Sequence, residues 1–369
     1  MTRVAVVGAT GFIGKNLMLF FDGTSEHTVF GVDRSTDLAA FFSANTPIDV
    51  IVHLAGVNCA SDPGAFDNNA GYLREVIAAA QSSNQQPCVI YASSTQAVLD
   101  NPYGRSKRVA EELLRETCHT GARAIALRVP NIFGKFGRAN YNSVVATFCA
   151  QVVSGTPLTV HDPASPLSLY YIDDLCEFII KQIDNLPPVG TFKVVEIDDV
   201  YETTVGEVAE TLTAFAEDFK EHRSALCDSG LDNKLRSTLA SYFPKNFSIP
   251  LTVHEDARGQ FFEVMRSDVG QFSVLTSKPG VVRGLHYHHS KFESFLVLQG
   301  TAEFITWSQD GAPVTERVAA EERRAIMTQP GLVHAIKNVG EDELIVWVWA
   351  NENFDPARPD TYAVGVTEV

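Results

Sequence analysis

Short apolar runs recur through the first half of the chain, at Val4–Val7, Val29–Val32, Val50–Leu54, Val89–Ala92 and Ala124–Leu127. Each is too short for a helix and lacks polar alternation, which predicts strands covered on both faces. Between them, Gly14–Phe21, Tyr72–Gln81 and Lys107–Cys118 carry helical spacing; in the last, Val109, Ala110, Leu113 and Leu114 repeat at that spacing. Strands alternating with helices predict an α/β domain with a doubly wound parallel sheet. After Phe215 the texture changes. Glu217 to Tyr242 is charged and helical in character, without a strand signal, and Pro244 and Pro250 punctuate the next stretch. From Leu251 onward, strand-like runs at Phe261–Val264, Phe272–Leu275, Phe295–Leu298, Glu303–Trp307 and Leu344–Trp349 are separated by Gly, Pro and Asp turns. That pattern predicts an all-β sandwich or barrel. The predicted domains are 1–245 and 246–369.

Composition fits this division. A chain of 369 residues, 45% hydrophobic and 20% charged, is long enough for two globular cores. A net charge of -16 disfavours nucleic acid as a partner, so an anionic substrate needs local Arg, Lys or backbone N–H groups. The six cysteines (Cys59, Cys88, Cys118, Cys149, Cys176 and Cys227) form no CxxC pair and read as small apolar residues in a reducing compartment. No signal-peptide pattern stands at Met1-Thr2-Arg3, and no apolar run is long enough to span a bilayer. A cytoplasmic protein with no membrane partner is expected.

Gly8-Ala9-Thr10-Gly11-Phe12-Ile13-Gly14 follows the first strand and opens a helix. Glycines there let the backbone approach a pyrophosphate, and the helix N-terminus offers it N–H groups. The second strand ends in Asp33-Arg34. The acid favours the ribose hydroxyls of NAD and the base favours the 2′-phosphate of NADP, so this pair leaves both open. Asp33 could instead cap the following segment. Tyr103-Gly104-Arg105-Ser106-Lys107 sets a phenol and an ammonium one helical turn apart, where the Lys charge is expected to lower the Tyr pKa for acid–base work. The strand Val89–Ala92 runs into Ser93-Ser94-Thr95, whose hydroxyls can bond a substrate carbonyl.

In this order, these motifs resemble the extended short-chain dehydrogenase/reductase family, whose fold is Rossmann-like. His53-Leu54-Ala55-Gly56, Arg128-Val129-Pro130-Asn131-Ile132-Phe133-Gly134 and Tyr171-Ile172-Asp173-Asp174-Leu175 extend the match. The resemblance implies catalysis by Ser94 (or its neighbours Ser93 or Thr95), Tyr103 and Lys107. It also implies cofactor contacts at Leu54, Ala55 and Gly56 and at Tyr103 and Lys107 themselves, substrate contact at Asn131, and structural roles for Asp173 and Asp174.

In the second half, His286 and His288 stand two apart, on one face of a strand, with Glu293 and Gly300 after them and Gly331, His334 and Asn338 further on. Three His and one Glu are a ligand set for Zn2+ or another divalent metal. The spacing resembles the cupin family, of double-stranded β-helix (jelly-roll) fold. Asp256-Ala257-Arg258-Gly259-Gln260-Phe261-Phe262-Glu263 and Val282-Arg283-Gly284-Leu285-His286 also resemble the dTDP-4-keto-sugar 3,5-epimerases, metal-free cupins in which the His of RGLH is the base. That implies substrate contact at Arg283. A metal-bound His286 could not be the base, which leaves His289, Lys291 and Tyr362 as candidates.

Over its full length, through Asp100-Asn101-Pro102-Tyr103-Gly104, Asn140-Tyr141-Asn142-Ser143-Val144 and Asn351-Glu352-Asn353-Phe354-Asp355-Pro356, the chain resembles the bifunctional capsular-polysaccharide enzymes of the UDP-N-acetyl-L-fucosamine pathway. The resemblance implies that the cupin epimerises C3 of a UDP-4-keto-6-deoxy-HexNAc. The first domain then reduces C4 with NADPH, giving UDP-2-acetamido-2,6-dideoxy-L-talose. It implies a homodimer as well. A reductase or tightly NAD-bound epimerase with a non-catalytic cupin, or a cofactor-sensing binding protein, are the alternatives. Lys135, Arg138 and Arg236 are candidate diphosphate partners, with surface solubility the competing reading.

Overall fold

The computed structural model describes residues 1–24, 26–44, 47–59, 61–224, 230–308 and 311–365. The chain divides into two compact units, Met1–Ala216 with Ser229–Pro244, and Glu217–Asp228 with Lys245–Val369.

In the first unit the elements follow in the order β1 (Arg3–Val7), α1 (Phe12–Thr24), β2 (Thr28–Val32), α2 (Leu38–Ser43), β3 (Val50–His53), α3 (Asn68–Ser82), β4 (Cys88–Ser94), α4 (Pro102–Cys118) and β5 (Ala124–Val129). Then come β6 (Asn131–Phe133), α5 (Val144–Ser154), β7 (Pro166–Tyr171), α6 (Ile172–Asp184), β8 (Phe192–Glu196), β9 (Tyr201–Thr204), α7 (Val205–Lys220, its last turn counted with the second unit) and α8 (Gly230–Ala240). Every strand predicted from an apolar run is present. Val4 to Val7 and Val50 to Val52 are fully buried, which explains why they carry no polar alternation. Six strands form a parallel sheet in the order β2-β1-β3-β4-β5-β8. The order reverses between β1 and β3, and a crevice opens beyond their carboxyl ends. The small sheet β6-β7-β9 takes in Asn131–Phe133, where substrate contact at Asn131 is expected.

The second unit opens with β10 (Arg223–Ser224), which pairs in parallel with Arg266–Ser267. The charged, helical texture between Glu217 and Tyr242 predicts no strand there. A two-residue strand is too short to show a period, and only its partner defines it. The others are β11 (Val253–Asp256), β12 (Gly259–Ser267), β13 (Gly270–Ser277), β14 (Val282–Tyr287), β15 (Glu293–Gln299), β16 (Thr301–Trp307), β17 (Val314–Ala319), β18 (Ala325–Met327), β19 (Val333–Asn338), β20 (Leu344–Ala350) and β21 (Tyr362–Ala363). They form two sheets, β10-β12-β13-β20-β15-β18 with β11 alongside β12, and β17-β16-β19-β14-β21. Leu275, Phe295, Val297, Phe304, Ile336, Val346 and Val348 are buried between them, as the alternating inward positions of a jelly roll require. The fold is thus a Rossmann-like α/β domain followed by an antiparallel β domain of cupin type.

Among the described residues, no helix is long and apolar enough to cross a membrane. Cys88, Cys118, Cys149 and Cys176 are buried and free, and Cys59 is exposed and free. Cys227 lies outside the described residues.

Candidate active sites

In the first unit, β1 passes into α1 through Gly8, whose φ is +91°. A Cβ at Gly8 would stand 2.8 Å from the Ala55 amide, and one at Gly14 would stand 2.1 Å from the Gly8 carbonyl. Only glycines allow α1 to start this close to the strand ends, where its unpaired N–H groups face the crevice. Leu54 and Ala55 are pinned there, both amides donating to Val7 O at 2.8 and 3.0 Å. Asp33 turns its Oδ1 to the Ser35 amide (2.9 Å) and hydroxyl (2.7 Å), and these bonds hold its carboxyl below the usual range. It does not cap α2; Asp37 does, accepting from the Ala40 amide at 3.1 Å. Arg34 stands exposed beside it.

Helix α4 begins at Pro102, which has no N–H to leave unpaired, and Asn101 caps it by accepting from the Gly104 amide at 2.7 Å. This start places Tyr103 and Lys107 over the end of β4. The three hydroxyls there separate clearly. Ser93 donates to Glu111 at 2.5 Å, Thr95 is exposed, and Ser94 accepts from the Gln96 amide at 3.1 Å and stands beside Tyr103. Lys107 is 6% exposed and donates to the Ala92 carbonyl at 2.7 Å, its Nζ 5.6 Å from the Tyr103 ring centre. Burial pulls the Lys107 ammonium down to about 8, against an opposing pull from Glu111. The Tyr103 phenol is pushed up by burial, with only the Ser94 hydrogen bond working against it. This corrects the expected lowering by Lys107. The ammonium is committed to a carbonyl, and desolvation of the phenol dominates.

One cavity of about 1410 Å³ collects these groups. Gly8, Thr10, Gly11, Phe12, Ile13 and Gly14 line it, as do Asp33, Arg34, Leu54, Ala55 and Gly56. So do Ser94, Tyr103, Lys107 and Asn131. Arg138 lines it too, whereas Lys135 is paired with Asp173 and Arg236 lies over the Phe215 ring, 4.5 Å from its centre. Asp174 pairs with Lys234, so both acids of that motif are engaged in ion pairs. Asn69 carries no signal in the sequence. It is buried, its Oδ1 accepts from the Val57 amide at 2.6 Å, and its Nδ2 donates to Val57 O and Ser106 Oγ, fixing the cavity wall.

In the second unit, His286, His288, Glu293 and His334 present ligand atoms within 4.8 Å of one another. Strand β14 makes this possible by an irregularity. Its register against β19 shifts between Gly284 and His286, and Leu285 takes a φ of +60°, a conformation that costs a branched side chain about 1–3 kcal/mol. Burial lowers His286 to about 4, so its imidazole is neutral at pH 7. Burial works to raise the Glu293 carboxyl, but the facing His288 and His334 imidazoles, while they carry a proton towards it, overcome that effect and hold the group well below the usual range. His288 Nδ1 faces the Asp360 carbonyl, which can only accept, so the other nitrogen of a neutral ring carries the lone pair. That Nε2 stands 3.4 Å from Glu293 Oε2, and His334 Nε2 stands 3.2 Å from the same oxygen, buried and without a well-aligned hydrogen bond. Once deprotonated, these nitrogens present lone pairs beside a carboxylate, a donor set that suits a divalent cation, so the residues fit a metal.

A cavity of about 220 Å³ reaches this cluster, lined by His286, Glu293 and His334, with Arg258 and Arg283 on its wall. His288 lies behind it. Arg283 donates to Thr276 O (2.7 Å) and Gln260 O (3.1 Å), and burial together with the neighbouring Arg258 holds it below its ordinary pKa. Arg258 belongs to a motif legible in the sequence, but nothing in that motif alone assigns it a role. None of His289, Lys291 and Tyr362 lines this cavity. His289 and Tyr362 pack against each other at a tilt, their ring centres 4.5 Å apart, and Lys291 donates to Pro359 O at 3.0 Å.

Known proteins resemble both units of the chain. Residues 254–362 match the polysaccharide biosynthesis C-terminal domain. The chain is 38% identical over 371 residues to the UDP-2-acetamido-2,6-beta-L-arabino-hexul-4-ose reductase of Pseudomonas aeruginosa, covering 99% of each protein. The capsular polysaccharide assembling protein CapF of Staphylococcus aureus superposes with a TM-score of 0.87 at 35% identity, over 98% of this chain and 100% of that one. A dTDP-4-dehydrorhamnose 3,5-epimerase of Mycobacterium tuberculosis is 25% identical over 138 residues, which is 32% of this chain and 68% of that protein. Residues 4–197 match the NAD dependent epimerase/dehydratase family, and the chain belongs to it.

Proposed function

We propose that the chain is a bifunctional nucleotide-sugar enzyme of capsule or O-antigen precursor synthesis. Its cupin domain (246–369) epimerises C3 of a UDP-4-keto-6-deoxy-HexNAc, and its Rossmann-like domain (1–245) reduces the C4 ketone to give UDP-2-acetamido-2,6-dideoxy-L-talose. The observation that carries this reading is the pairing of two sites on one chain: Ser94, Tyr103 and Lys107 in a dinucleotide-sized cavity, and a His/Glu cluster beside two arginines. Full-length likeness to a reductase of a UDP-linked hexulose supports the substrate class.

NADPH, when bound along Gly8–Gly14, supplies the hydride. Arg34, exposed while Asp33 is occupied by Ser35, supports NADPH over NADH. Ser94 orients the ketone oxygen, and Tyr103 donates the proton that oxygen needs. Burial keeps the phenol protonated at neutral pH, which suits a proton donor. Lys107 holds the wall at Ala92 and presents its charge beside Tyr103.

In the cupin, His286, His288, Glu293 and His334 would hold a divalent metal, with zinc the best match to three imidazoles and a carboxylate. Such an ion supplies Lewis acidity towards a carbonyl oxygen. Arg258 and Arg283 stand on the cavity wall, where their charge favours the diphosphate that leads out from the sugar. At about 220 Å³ the cavity is below the usual ~300–1,000 Å³ of a small-molecule pocket, so it takes the sugar and not the whole nucleotide.

One reaction tests the assignment: protein, NADPH and the UDP-4-keto sugar in heavy water, following NADPH absorbance and product mass. NADPH loss with deuterium at C3 is expected. NADPH loss without deuterium refutes the epimerase and leaves a reductase with a non-catalytic cupin.

The Lys107 pKa gives a pH dependence. The ammonium is charged below about 8 and neutral above, so a reduction that needs the charge slows as pH rises, tending to tenfold per unit. A kcat/KM profile from pH 6 to 10 is expected to fall on that limb. In Lys107→Arg, whatever its basal rate, the limb is expected to vanish.

A further inference from the structure

His288 is the one residue of the His/Glu cluster that does not line the cavity, so no substrate touches it and its orientation must come from behind. What stands behind it is the carbonyl of Asp360, 72 positions away in sequence. That carbonyl is held in place by its own side chain. Asp360 Oδ1 accepts from the His289 amide at 2.9 Å, and Oδ2 accepts from the amides of Ser290 (3.0 Å) and Lys291 (2.9 Å) and from the Ser290 hydroxyl (3.2 Å). Three consecutive N–H groups thus close on one carboxylate. Asp360 has a φ of +39°, a conformation that Asp and Asn adopt more readily than other side chains.

We propose that Asp360 is the positioning residue of the metal site: its carboxylate grips the turn after His288, which seats its own carbonyl on His288 Nδ1 and aims Nε2 at the cluster. The inference rests on the metal reading above. The rest of the segment is built to keep this grip. Lys291 Nζ, buried, donates to Pro359 O at 3.0 Å. Beyond Asp360, β21 pairs with the ligand strand β14 at Tyr287 and His286, and the Val364 amide donates to Leu285 O at 2.9 Å. The strained stretch of β14 is therefore clamped by residues 359–364. From the other side, the Gly331 amide donates to His288 O at 2.7 Å, tying this turn to the loop that leads to His334. Ligand-orienting partners of this kind commonly contribute 10–100-fold to metal affinity.

The test measures zinc affinity of the full chain, stripped of metal, by competition with a chromogenic chelator. Asp360→Asn keeps the left-handed backbone but turns an NH2 group on the amide donors. We expect its zinc Kd to rise ~10–100-fold. Asp360→Glu keeps the charge on a longer stem and is expected to fall between wild type and Asn. The metal-free melting temperature and the NADPH affinity of the first unit should not change. Asp360→Asn binding zinc as wild type does overturns the inference. So does an equal loss in both variants that is matched by a drop in the metal-free melting temperature, since that marks a structural role only. If Asp360→Asn does not fold, Asp360→Glu decides alone: weaker zinc binding at an unchanged metal-free melting temperature supports the inference, and unchanged binding overturns it. Wild-type protein that takes up no zinc overturns the metal reading, and this inference with it.

Discussion

Tyr103→Phe is expected to lower kcat for NADPH-dependent reduction by ~10²–10⁴-fold, the usual worth of a positioned proton donor, while NADPH affinity stays within a few-fold of wild type. The asymmetry comes from where the phenol stands. The glycine turn and the strand ends at Leu54–Gly56 line the cavity with backbone, whereas Tyr103 presents its phenol beside Ser94. Removing its oxygen leaves the ring and its contact with Phe66 (5.7 Å between centres), so the wall survives and only the proton is lost. Ser94→Ala acts on the same ketone oxygen, so the double variant is expected to be little worse than Tyr103→Phe alone. Ser93→Ala separates chemistry from scaffold. Its hydroxyl is bound to Glu111, which also takes Arg128 at 3.0 and 3.2 Å, so the loss should appear in melting temperature rather than in kcat. Steady-state NADPH oxidation on the four variants, with the melting temperature of Ser93→Ala, measures this. A Tyr103→Phe enzyme within tenfold of wild type would sink the assignment.

Legibility in the sequence tracks how local a feature is. The strands of the first unit are readable because parallel strands buried on both faces leave uninterrupted apolar runs. The glycine turn is readable because strand, turn and helix occupy adjacent residues. The four candidate metal ligands are readable in composition and, for His286 and His288, in spacing. Long-range arrangements are not. The strand at Arg223–Ser224 exists only through Arg266–Ser267. The Leu285 irregularity leaves no trace in hydropathy, yet it sets the register at which His286 meets His334. The direction of the Tyr103 shift escapes the sequence because spacing shows that a Lys lies one turn away, whereas desolvation depends on what packs around the phenol. His289, Lys291 and Tyr362 are plausible as bases by type and order, but the turn after His288 and strand β21 leave them out of the cavity lining. Arg258 shows the opposite error: its motif is visible in the sequence, and only the fold shows that it shares a wall with Arg283.

His334→Ala is expected to cut deuterium incorporation at C3 by ~10²–10³-fold, the several kcal/mol that loss of a metal's polarising effect represents, while leaving the first unit's reductase intact. His334 is 5% exposed and lines the cavity, so its loss opens a ligand position on the substrate side, where a chelator also has access. It further leaves Glu293 with His288 as its only partner among the described residues, a carboxylate too buried to ionise as readily. Metal stripping of wild-type protein should reproduce the loss, and zinc should restore wild type but not the variant. The reductase arm is read separately. A 4-keto sugar already inverted at C3 should consume NADPH at the wild-type rate with His334→Ala, because Ser94, Tyr103 and Lys107 belong to a different core from the His/Glu cluster. Full C3 exchange in His334→Ala would place the epimerising group elsewhere. Loss of both activities would mean that the two chemistries are not separable in this chain.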